Sequence, residues 1–102
     1  MSHDPQAEII RRLHCAAGHL NAVIEMTESG QPCEQVLHQL NAVQSALRAA
    51  GLKIIHAQAQ TSQATILNSS SCDERIAELK RLQFLYRVFT QHSFQTLKVN
   101  YD

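Results

Sequence analysis

The chain of 102 residues carries three cysteines, Cys15, Cys33 and Cys72, and six histidines, the side chains best suited to hold a soft metal ion or to react with an electrophile. Cys33 raises the sharpest question. It follows Gly30 and Pro32 and opens a long run of helical periodicity in GQPCEQVLHQLNAVQSALRAAG, residues 30–51. It either packs as a small apolar residue in the phase of Leu40, Leu47 and Ile54, or presents a thiol for binding. An odd number of widely spaced cysteines suits reduced thiols in a cytosol better than a disulfide framework, so the expected compartment is the cytoplasm. Cys15 is expected to pack and Met26 to belong to the core, while His14, His19, His38 and His92 suit solvated or interface positions. Catalysis finds no support, because no Ser-His-Asp order, paired-carboxylate motif, phosphate loop or glycine-rich fingerprint occurs.

The elements that must position these groups are helical. Asp4-Pro5 is a helix start, with Asp accepting orphan N–H groups and Pro losing nothing at the first helical position. Ile9, Leu13, Ala16, Leu20 and Val23 then step by four and three, predicting a first helix over about 5–28 that Gly30 and Pro32 stop. Val36, Leu40, Val43, Leu47, Ala50, Ile54 and Ala57 keep a heptad phase, predicting a second helix over 33–66 whose end, AQAQTSQAT, is small and polar. Ser71-x-x-Glu74 is a capping-box pattern opening a third helix over 72–91, with Ile76, Leu79, Leu82, Tyr86 and Phe89 on one face. Residues 93–102 show no period and are expected to form a tail behind a single domain, 1–92.

This is an all-α protomer of three helices. A second helix of about 34 residues would be roughly 50 Å long, more than a compact three-helix monomer needs. The economical solution is a homodimer in which the first two helices of each chain form an antiparallel four-helix bundle, with the third closing an end or joining dimers. Nine Lys plus Arg balance nine Asp plus Glu, so there is no overall basic field and any nucleic-acid contact needs a local patch. The N-terminus lacks a signal-peptide pattern and no stretch approaches the roughly 18 apolar residues of a membrane span, so no membrane partner is expected.

The segment GHLNAVIEMTESGQPCEQVLHQLNAVQSAL, residues 18–47, resembles the signature region of the CsoR/RcnR/FrmR family of bacterial repressors. Arg12, Leu13, Gly18, His19, Leu20, Met26, Glu28, Cys33, Val36, Leu37, Gln39, Ala42, Val43 and Leu47 occupy that family's pattern positions. The resemblance implies a CsoR-like all-α dimer or disc-shaped homotetramer that binds double-stranded operator DNA and releases it when an effector arrives. The effector is a metal ion in copper, nickel and cobalt sensors and formaldehyde or a persulfide in others. The resemblance makes Cys33, at the start of the second helix, the shared effector residue.

Copper-type members add His and Cys at the positions 25 and 29 residues beyond that cysteine, which here are Gln58 and Ser62. Neither is a good ligand for a thiophilic metal. Twenty-five residues of one helix span roughly 37 Å, so the family site must join Cys33 to an antiparallel partner. His56 lies near position 58, and His3 matches an N-terminal histidine that nickel and cobalt members use. A transition metal site for Zn, Ni, Co or Cu would therefore draw on Cys33, His3 and His56. Formaldehyde-type members share a hydroxyl residue at the position of Ser62; a persulfide sensor would need a second cysteine there, and Cys72 is the nearest one beyond it. Glu78 matches an acid that orients ligands in copper sensors. For DNA, the resemblance points to Arg11, Arg12, Arg48 and Lys53, with His14 where a cation is common. The competing expectation is an interaction protein that kept the bundle and lost sensing, DNA binding or both.

Overall fold

The computed structural model of the chain describes residues 4–100, with side chains described for residues 4–91. Among the described residues the regular structure is entirely helical: α1 (Pro5–Glu28), α2 (Cys33–Asn68) and α3 (Cys72–Asn100). The protomer is thus all-α. It divides into two compact units, Met1–Ile54 and Ile55–Asp102, and α2 contributes to both.

In the first unit, Asp4 caps α1 by accepting the Gln6 N–H at 3.1 Å, with Pro5 at the first helical position. The other end closes on a left-handed glycine. Gly30, at φ 73°, donates to Thr27 O at 3.2 Å, and Gln31 donates to Met26 O at 3.0 Å. This is the Schellman pairing, which satisfies carbonyls the helix end would leave orphaned. The Pro32 carbonyl then accepts from Gln35 and Val36 at 3.0 and 3.1 Å, so α2 begins with Cys33. Ala16 and Val23 on α1 and Val43 and Ala50 on α2 are buried. The apolar stripe expected on α1 is split between two environments: Ile9, Ala16 and Val23 lie within an arc of about 40° and are the better covered, whereas Leu13 and Leu20, beside them, are each 40% exposed.

In the second unit, the buried residues of α2 are Ile55 and Ser62. The heptad phase placed Ile54 and Ala57 inside; instead Ile54, the last residue of the first unit, is 48% exposed, and Ala57 in the second is half-buried. Ser71 caps α3 through its Oγ, which accepts the Glu74 N–H at 3.2 Å. The reciprocal half of the capping box differs from expectation. Glu74 reaches back to the Ser69 hydroxyl at 3.1 Å, and the Ser71 N–H bonds that same hydroxyl oxygen at 3.1 Å. The covered side chains of α3 are Glu78, Leu82, Leu85 and Phe89, all half-buried, while Ile76, Leu79 and Tyr86 are exposed. α3 continues to Asn100, where a tail was expected from residue 93. No glycine or proline lies between Cys72 and Asn100 to interrupt it. No described helix is long and apolar enough to cross a membrane.

Candidate functional site

Cys33 is the first residue of α2, fixed there by the Gly30 turn and the Pro32 carbonyl, and its side chain is exposed in the protomer. The buried-packing alternative does not describe it in a single chain. Cys15, expected to pack, is exposed as well, and so is Cys72 at the first position of α3; all three thiols are free. His3 lies outside the described residues. His56 is exposed and belongs to the second unit, whereas Cys33 belongs to the first. Among the described residues no group of three or more His, Cys, Asp or Glu is arranged to hold a metal ion.

The structure does bring Gln58, Ser62 and Glu78 together. Ser62 is fully buried; its Oγ accepts from Gln58 Nε2 at 3.1 Å and donates to Glu78 Oε1 at 2.6 Å. The second bond is short because its acceptor carries charge. Arg81 Nη1 lies 3.6 Å from the same Glu78 oxygen, on the solvent side. The hydroxyl thus uses its one donor and an acceptor position within the unit, and no buried described side-chain nitrogen or oxygen lacks a partner. A hydroxyl and a carboxylate oxygen bonded to each other, with an amide nitrogen donating to the hydroxyl, do not fit a soft, thiophilic metal ion.

The five residues expected to face DNA all belong to the first unit. His14, Arg48 and Lys53 are exposed. Arg11 and Arg12 are held by Glu8: Arg11 Nε donates to Oε2 at 3.1 Å and Nη2 to Oε1 at 2.8 Å, while Arg12 Nε donates to Oε1 at 3.1 Å. The hydrogen bond from Arg11, reinforced by the charges of both arginines, holds the Glu8 carboxyl down at about 2, and the same contact raises the pKa of Arg11. Glu8 was missed in the sequence, although E-x-x-R-R on a helix is an i,i+3 and i,i+4 ion-pair signal. The contact between His19 and Gln39 Oε1, 2.7 Å through Nε2, was also missed; it joins two residues of the signature pattern across α1 and α2.

A three-helix chain with a free thiol opening α2 and exposed cations at Arg11, His14, Arg48 and Lys53 fits a regulatory or binding protein. The family described as metal-sensitive transcriptional repressors matches residues 5–83, and the chain belongs to that family, whose members are not enzymes. It is similar to the copper-sensing transcriptional repressor CsoR of Mycobacterium ulcerans (strain Agy99), 41% identical over 64 residues that cover 60% of this chain and 55% of the relative. The CsoR proteins of Mycobacterium bovis (strain BCG / Pasteur 1173P2) and Mycobacterium tuberculosis (strain ATCC 25618 / H37Rv) are each 33% identical over 70 residues, 69% of this chain and 59% of theirs. The chain therefore spans less than two thirds of the length of these relatives. No solved structure gives a significant match.

Proposed function

We propose that the protein is a DNA-binding transcriptional repressor, a cytoplasmic homodimer or homotetramer that leaves its operator when an effector engages Cys33 at a site shared between subunits. The family match across residues 5–83 carries this reading. The open apolar arc of the first unit supports assembly: Ile10, Leu13, Leu20 and Ile24 on α1 and Leu37 and Leu47 on α2 are each at least 40% exposed. Burying such side chains is worth about 1.5–3 kcal/mol each when complete, so a second copy laid antiparallel on this face is strongly favoured. Within one chain the helical rise between Cys33 and Gln58 keeps the two ends of the family site apart, so only a partner copy can close it. The effector acts as a population shift, fitting one arrangement of the bundle better, in which the cationic faces align poorly with DNA.

Copper is the effector named for the mycobacterial relatives. The Gln58–Ser62–Glu78 network, which offers no soft ligand, favours a second reading of the effector here, a small electrophile in place of copper. The Cys33 thiol adds to the carbonyl carbon of formaldehyde: the S–C bond forms as the C–O π bond opens, and the thiol proton ends on the oxygen. No leaving group or oxidant is needed. The test is binding of promoter fragments by the purified protein, then release by Zn, Ni, Co or Cu ions, by formaldehyde or by a persulfide donor, repeated with Cys33→Ala. One effector is expected to release the wild type and not the variant. If no promoter fragment is bound even at low salt, the repressor reading fails and a bundle-forming interaction protein replaces it.

A further inference from the structure

We propose that Glu8 is an intrachain competitor for DNA phosphates, a carboxylate clamp on Arg11 and Arg12 that lowers the affinity and flattens the salt dependence of nucleic-acid binding; this rests on the DNA-binding reading above. Arg11 offers Glu8 its Nε–Nη2 edge, one donor to each carboxylate oxygen, at 3.1 and 2.8 Å. That is the same fork with which a guanidinium grips a phosphate. Arg12 adds a third donor, Nε, to the oxygen that Arg11 Nη2 already uses. The trio therefore presents one net positive charge where the sequence suggests two. Among the described ion pairs no other carboxylate is paired with either arginine, so Glu8 supplies the negative charge of the clamp, with the Cys15 thiol a lesser neighbour of Arg11.

The competition is graded. All three side chains are substantially exposed, with relative accessibilities of 61% for Arg11, 37% for Arg12 and 39% for Glu8. Exposed pairs at i,i+3 and i,i+4 are weak, so a phosphate can displace the carboxylate. Each arginine that changes partner then neutralises a phosphate and releases counterions, but only after its bond to Glu8 is given up. In a homo-oligomer the same cost recurs in every protomer that faces the duplex.

The experiment compares the full-length wild type, Glu8→Gln and Glu8→Asp on a random-sequence DNA duplex between about 50 and 200 mM salt, where binding reports phosphate contacts alone. Glu8→Gln keeps the shape and removes the charge. It is expected to bind about two- to fivefold more tightly at the low-salt end, the scale of two exposed ion pairs. Its log–log salt slope should steepen by up to roughly 0.9 for each phosphate gained. Glu8→Asp, still charged, should return both readouts toward the wild type, with helix content unchanged throughout. Equal affinity and slope in wild type and Glu8→Gln overturn the proposal. So does a loss of affinity at unchanged slope, which would make Glu8 an orienting residue, and so does failure of both proteins to bind the duplex. Failure of the repressor reading is recognised separately, by promoter fragments binding no better than the random duplex.

Discussion

α1 with the first part of α2, and the rest of α2 with α3, are two helical hairpins held together by different chemistry. The first buries small apolar residues, Ala16, Val23, Val43 and Ala50, and adds one half-buried polar contact, His19 to Gln39 at 2.7 Å. Among the described residues the second buries Ile55 and Ser62, and a hydroxyl donating to a carboxylate at 2.6 Å joins its helices. The first hairpin holds the signature residues and Cys33, and both hairpins leave large apolar side chains exposed, among them Leu37 at 52% in the first and Leu67 at 70% in the second. The second engages Gln58, Ser62 and Glu78 with one another. The second hairpin is thus structurally committed at Ser62, a commitment with no counterpart at Cys33, which is exposed in the first.

The largest expected effect tests that commitment. Ser62→Ala removes a fully buried hydroxyl that serves Gln58 and Glu78 at once, and should cost about 1.5–3 kcal/mol, the range for hydrogen bonds to charged groups. At about 4–8 °C per kcal/mol for a domain of this size, the fall in Tm is easily read at a fixed protein concentration. A double-mutant cycle with Glu78→Ala should return a coupling of about 0.5–3 kcal/mol. His19→Ala, in the half-buried contact of the first hairpin, should cost only about 0.5–1.5 kcal/mol. If the order is reversed, the hairpins do not differ in the way their contacts suggest.

The next effects, of opposite sign, sharpen the comparison inside the first hairpin. Gly30 holds φ 73°, and a Cβ there would meet no atom within 4 Å, so conformation alone demands glycine. Gly30→Ala should destabilise by about 1–2 kcal/mol. Gly18 sits inside α1 without a positive φ, and a Cβ there also meets nothing within 4 Å. Gly18→Ala should therefore stabilise the fold by about 0.5–1 kcal/mol in denaturant unfolding. Stabilisation accompanied by weaker self-association or DNA binding would mean that Gly18 serves a contact outside the protomer. Intrachain packing gives no reason for glycine at this signature position.

What the sequence made legible was local chemistry with a fixed address. Asp4-Pro5, Gly30-x-Pro32 and Ser71-x-x-Glu74 each encode a cap, and each lies at the corresponding helix boundary. The signature pattern led to the family. Extrapolated periodicity fared worse, because a heptad cannot register which neighbour covers a helix. It placed Ile54 inside where Ile55 is buried, and of the five residues expected on the covered face of α3 only Leu82 and Phe89 are half-buried, Ile76, Leu79 and Tyr86 being exposed. The end of α3 was illegible because it has no stop residue. The grouping of Gln58, Ser62 and Glu78 came only through resemblance, since no spacing rule connects residue 62 to residue 78 across a turn. The contact of Glu8 with Arg11 and Arg12 is legible in the E-x-x-R-R spacing, which sets one carboxylate a helical turn before both guanidinium groups.

The smallest effect is the pH response of that clamp, and it belongs to the first hairpin alone. In the folded chain the Glu8 carboxyl titrates at about 2 against an ordinary 4.5, so its folded pKa is depressed. The sign follows from linkage: the folded state binds the proton less readily than the unfolded state, so the contribution is fully present above pH 4.5 and is lost as pH falls through about 2. Because the group is exposed, salt should move the midpoint back toward its ordinary value. Following the Glu8 carboxyl carbon by NMR should give a midpoint near 2 at low salt, and Arg11→Gln should raise it, since the Arg11 hydrogen bond is the largest cause of the depression. Ser62→Ala, in the other hairpin, should leave it unmoved. A wild-type midpoint near 4.5 would show that the clamp is not held in solution, and the two arginines would then be available to phosphate without competition.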